Sequence, residues 1–83
     1  MSKFEKIVQK VLSGKSDNNI HFQDLCILLE ILDFNNRIKG SHHIYYKEGI
    51  EEIINLQANG SKAKVYQVKQ VREILNKYKL IKK

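Results

Sequence analysis

Eighty-three residues, 42% apolar and 29% charged, suffice for one domain with one modest core, and no apolar run approaches the ~20 residues of a membrane span. A formal charge of +6 favours a polyanionic partner: nucleic acid first, an acidic protein second, a membrane surface third. Cys26 is the only cysteine and His42 and His43 are adjacent rather than spaced, so neither an internal disulfide nor a cysteine–histidine zinc set can form. No metal and no small-molecule cofactor is expected, and Cys26 reads as a small buried apolar residue. The stretch Met1 to Lys6 alternates charged and apolar residues and lacks the apolar core of a secretory signal, which implies a cytoplasmic protein without a membrane attachment.

Phe4, Ile7, Val8, Val11 and Leu12 recur at helical spacing and predict an amphipathic helix that Gly14 ends. The polar run from Gly14 to Asn19 is a loop. A second helix starts near Phe22 with His21 at its N-cap, and Asp24 in its first turn suits the positive end of the dipole. Leu25, Cys26, Leu28, Leu29 and Leu32, widened by Ile27 and Ile31, predict a helix touched on two sides, by the first helix and by a sheet. Alternation then takes over, with a strand from Phe34 to Ile38, a turn at Gly40-Ser41, a strand from His42 to Lys47, and a turn at Glu48-Gly49. A third strand over Ile53 to Gln57 ends at Asn59-Gly60. Val68, Val71, Ile74, Leu75 and Tyr78 place a last helix over Val65 to Tyr78, with Arg72 outward, and the tail from Leu80 to Lys83 is expected to fray. The result is an α+β domain of order α-α-β-β-β-α, a three-stranded antiparallel sheet covered by helices on one face and partly open on the other.

Chemistry concentrates at the first hairpin. Strand parity puts His42, Ile44 and Tyr46 on one side and His43, Tyr45 and Lys47 on the other, and suggests that His43 faces solvent while His42 lies nearer the core. His42 also follows a glycine turn directly, where a side chain emerges at the sheet edge, so both histidines are candidates. Gly40 and Ser41 offer close backbone approach and a donor for an anionic oxygen, and Lys39 and Arg37 bring positive charge to the same end. Histidine accepts and returns a proton near neutral pH, as cleavage of an RNA phosphodiester through its own 2′-hydroxyl requires.

A helix running into Leu32-Asp33-Phe34, then Lys39-Gly40-Ser41-His42 with Ile44-Tyr45, an apolar strand, the Asn59-Gly60 turn and Val71-Arg72-Glu73-Ile74-Leu75 together resemble the HicA-type toxins of bacterial toxin–antitoxin modules. The resemblance covers His21 to Leu80; residues 1–20 lie outside the minimal family core of this 1–83 domain. It implies a fold like the double-stranded RNA-binding domain, a metal-independent mRNA endonuclease activity and a type II antitoxin partner of the HicB type. It also implies that His42 is the catalytic histidine, with Lys39, Gly40, Ser41, His43 and Arg37 as RNA-contacting residues. The chain departs from the family in three places. The first helix is additional, the stretch from Leu56 to Gly60 lacks the proline and histidine many members carry there, and Lys69-Gln70 replaces a glycine–threonine pair near the start of the last helix. One histidine covers half of a two-proton scheme, and the other half is open between His43, Tyr45 and water. The competing expectations are a non-catalytic RNA-binding module of the same fold and a protein-interaction module with a basic face.

Overall fold

The computed structural model describes residues 2–81. Helix α1 (Lys3–Ser13) begins where the Ser2 hydroxyl accepts from the Glu5 amide at 3.1 Å and ends at Gly14, whose φ of 72° is the left-handed conformation glycine takes without penalty. Ile7, Val8 and Val11 are buried against helix α2 (Phe22–Ile31) and helix α3 (Val65–Lys77), so the additional helix belongs to this domain's own core. The loop after it is pinned rather than loose. A 3-10 turn at Asp17–Asn19 presents the Asp17 carboxylate to both terminal nitrogens of Arg72 at 2.8 and 3.1 Å, and Arg72 also donates to the Val11 carbonyl at 3.2 Å. Arg72, expected to point outward, is thus drawn inward by a two-pronged ion pair that ties α1, the loop and α3 together.

Helix α2 buries Leu25, Cys26, Leu28 and Leu29, and each leucine removed fully from water contributes roughly 1.5–3 kcal/mol. Its apolar stripe is narrower in fact than in sequence, because Ile27 and Ile31 remain 38% and 51% exposed. His21 occupies the N-cap without a side-chain capping bond, and Asp33, with φ 66°, turns the chain out of the helix so that the Phe34 amide reaches the Leu29 carbonyl at 3.0 Å. Aspartate is among the few non-glycine residues that take this conformation readily.

Strands β1 (Asn35–Lys39), β2 (His42–Lys47) and β3 (Ile50–Leu56) form the expected antiparallel meander in the order β1-β2-β3. The register sets Lys39 opposite His42, Arg37 opposite Ile44, His43 opposite Leu56 and Tyr45 opposite Ile54, with a bulge between Tyr45 and Lys47. The third strand starts three residues before its expected position, at Ile50, directly after the Glu48-Gly49 turn. Asn59-Gly60 does not end it. It belongs to a further ribbon, β4 (Ala58–Asn59) with β5 (Lys62–Ala63), whose backbone bonds to Ile20 and Phe22 clamp the start of α2.

One face of the sheet carries Tyr45, Ile54 and Leu56, all at most 1% exposed, against the helices. Helix α3 is fastened to β3 at both of its ends. Near its start the buried Gln67 side chain accepts from the Gln57 amide at 3.2 Å and donates to the Asn55 carbonyl at 3.0 Å, so a side-chain amide takes the place of a fourth strand. At its end the Tyr78 hydroxyl donates to Glu52, which Lys77 also reaches at 3.0 Å, and these two partners hold the Glu52 carboxyl below its ordinary range. Of the tail expected to fray, Leu80 and Ile81 pack against the core, because the Leu80 amide bonds back to the Leu75 carbonyl; Lys82 and Lys83 lie outside the described residues. Among the described residues no helix is long and apolar enough to cross a membrane.

Candidate functional site

The alternation along β2 holds, but its polarity is the reverse of the sequence expectation. Tyr45 opposite Ile54 and His43 opposite Leu56 fix the odd-numbered side of β2 as the covered one. His43, expected to face solvent, turns toward α2 and meets the Phe22 ring edge-on, with centroids 5.0 Å apart and planes at 77°. His42, expected nearer the core, stands on the open face. The physical reason is that Ile54 and Leu56 give β3 a continuous apolar side that only Tyr45 and His43 can pack above. Tyr46, on the same side as His42, is accordingly exposed, and the bulge falls there, between Tyr45 and Lys47.

On the open face His42 is half-buried and its Nδ1 lies 2.9 Å from the Asn55 side-chain oxygen. A carboxamide oxygen only accepts, so with this partner Nδ1 carries the proton and Nε2 presents a lone pair. Asn55 was not singled out in the sequence; its signal was a polar residue between Ile54 and Leu56, at the one position of β3 that must face away from the core. Asn55 is itself held, because its carbonyl receives the Gln67 side chain.

The turn beside it joins the same arrangement. Gly40, with φ 61°, leads the two-residue turn, and an added β-carbon there would meet nothing within 4 Å, so its backbone is open to a ligand. The Ser41 hydroxyl accepts from the Gln57 side-chain nitrogen at 3.1 Å, and the Gln57 side-chain oxygen accepts from Lys64 at 3.1 Å. Lys39 and Arg37 share the open face of β1, exposed, and among the described residues neither has a carboxylate within 4.0 Å. Their charge is therefore available to an anion.

Tyr45 takes no part in this face. Its hydroxyl donates to Glu30 at 3.3 Å under α2, and burial, with the neighbouring Cys26 and Glu30, pushes it well above the usual phenol range. Burial likewise pushes the Cys26 thiol up, in keeping with a buried apolar role. Of the site residues expected from sequence, the open side of the hairpin brings together His42, Gly40, Ser41, Lys39 and Arg37, and leaves out His43 and Tyr45. Among the described residues no cluster of three histidine, cysteine or carboxylate side chains forms a metal-ligating group. No protein-family model, no curated protein and no solved structure matches this chain.

Proposed function

We propose that this chain is a metal-independent RNA endonuclease of the HicA type, the mRNA-cleaving toxin of a type II toxin–antitoxin pair that acts in the cytoplasm. The observation that carries the proposal is the half-buried imidazole of His42, steered by Asn55 so that Nε2 faces outward on a side bearing Lys39 and Arg37, which have no carboxylate partner among the described residues. In the reaction, Nε2 takes the proton of a ribose 2′-hydroxyl, whose oxygen attacks the adjacent phosphorus. The P–O5′ bond breaks, leaving a 2′,3′-cyclic phosphate on one fragment and a 5′-hydroxyl on the other. The departing oxygen receives its proton from the imidazolium or from water, since the His43 and Tyr45 side chains lie across the sheet. Lys39 and Arg37 offset the charge on the phosphorane, and the backbone at Gly40 and the Ser41 hydroxyl approach its oxygens.

The test is growth arrest and RNA cleavage by the wild-type chain and by His42→Ala. Loss of a positioned proton-transfer group lowers the rate roughly 10²- to 10⁴-fold, with the thermal midpoint nearly unchanged, and the wild-type fragments carry 2′,3′-cyclic ends. A folded His42→Ala protein that cleaves like the wild type refutes the assignment. Binding without fragments would favour the competing view, an RNA-binding module of the same fold, for which the single imidazole on the open face speaks. An antitoxin of the HicB type would cover this basic face, and its co-expression from the neighbouring reading frame should relieve the arrest.

A further inference from the structure

His42 does not stand alone on its side of the sheet. It lines a shallow cleft of about 200 Å³ together with Ile53, Asn55, Gln57, Tyr66 and Gln70, where the start of α3 overhangs β3. This space is smaller than the roughly 300–1,000 Å³ of pockets that enclose drug-sized ligands. Its lining has a particular chemistry. Tyr66 is an aromatic side chain left 64% exposed, and Ile53, left 61% exposed, is an apolar surface in the same cleft. Besides His42 its polar lining is carboxamide; Asn55 and Gln57 are bonded to protein partners, whereas Gln70 makes no side-chain hydrogen bond among the described residues and offers both a donor and an acceptor, and none of the lining residues carries a carboxylate. Tyr66 has no packing task that explains it. It contributes nothing to the buried core, and its hydroxyl makes only a 3.5 Å contact with the Gln67 side chain. Gln67, by contrast, is 1% exposed and bonded to the β3 backbone, so the residue beside Tyr66 is rigidly placed.

We infer that this cleft is a nucleobase subsite: Tyr66 stacks on one unstacked base of a single-stranded RNA, and the carboxamide of Gln70 addresses its hydrogen-bonding edge. Exposed aromatic rings with neighbouring amides are how proteins hold splayed bases of single-stranded RNA, where duplexes hide those edges. The inference rests on the RNA-cleavage proposal for its substrate. It adds that the base beside the phosphate attacked at His42 is gripped and selected.

Binding of a short fluorescent single-stranded RNA is measured with His42→Ala protein, which leaves the RNA intact, and with the same protein carrying Tyr66→Ala or Tyr66→Trp. Loss of one stacked base weakens binding roughly 5- to 150-fold. Tyr66→Trp should restore it, and an oligonucleotide abasic at the gripped position should bind both proteins alike. A Tyr66→Ala protein that binds within about twofold of its parent at matched salt overturns the subsite, as does equal, Tyr66-independent binding of a duplex. The two proposals fail separately. If the wild-type chain cuts no RNA yet binding depends on Tyr66, catalysis falls and the subsite stands; if Tyr66→Ala cleaves with unchanged KM, the subsite falls and catalysis stands.

Discussion

His42 and His43 are neighbours in the chain and opposites in the fold. His43 sits among groups that are finished with one another: Phe22 at its edge, Leu56 across the ladder, and Tyr45 two residues on, bonded to Glu30. His42 sits among groups that are not: an Nε2 without a partner among the described residues, a turn with open backbone, two cations with no carboxylate partner among those residues and an exposed tyrosine in the same cleft. The covered face stores the stability of the sheet, and the open face spends none of it on packing. Substitutions on the two faces should therefore separate cleanly into those that lower stability and those that lower activity.

The largest expected effect is on the covered face. Tyr45→Ala removes a fully buried aromatic side chain and should destabilise the chain by about 3–5 kcal/mol, read as a collapse of the denaturant midpoint. Tyr45→Phe, which deletes only the hydroxyl on Glu30, should cost about 0.5–1.5 kcal/mol and leave RNA cleavage unchanged. Activity lost from a folded Tyr45→Phe protein would mean that the faces are not separate and that this phenol reaches the chemistry.

A smaller effect divides the histidines themselves. His43→Ala gives up the edge-on contact with Phe22, about 0.5–1.5 kcal/mol, and should lower the thermal midpoint while cleavage stays within about twofold. His42→Ala should do the reverse. Parallel melting and cleavage assays of the two variants decide the matter, and equal activity losses would restore His43 to the site.

Most of the frame was legible because each helix declares itself by a repeated apolar face and a glycine or polar stop. Gly14, Gly40 and Gly49 lie where positive φ is needed, and the sequence points to all three turns. The sidedness of β2 was harder to read. Ile44-Tyr45-Tyr46 is apolar on both parities, so its pattern does not say which side is buried; that choice is made by β3, through Ile54 and Leu56. The inward draw of Arg72 was hidden for a similar reason, since its partner Asp17 lies 55 residues away. Gln67 is the opposite case: a glutamine at helical spacing from Val71 and Ile74, where an apolar residue would be ordinary, is a visible clue to a buried backbone contact.

The smallest expected effect tests the charges of the open face against those elsewhere. Arg37 and Lys39 have no carboxylate partner among the described residues, whereas Lys77 is held by Glu52 at 3.0 Å. Each cation that neutralises a phosphate on a single strand contributes about 0.7 to the slope of log affinity against log salt. Arg37→Ala and Lys39→Ala should each flatten that slope by about this amount and weaken binding at low salt, with little change at high salt, where screening has already removed the contribution. Lys77→Ala should leave the slope as it is. Since all three variants lower the net charge by one, a uniform flattening would mean that overall charge attracts the RNA. A change confined to Arg37 and Lys39 would mean that the strand lies along β1 on its way to His42.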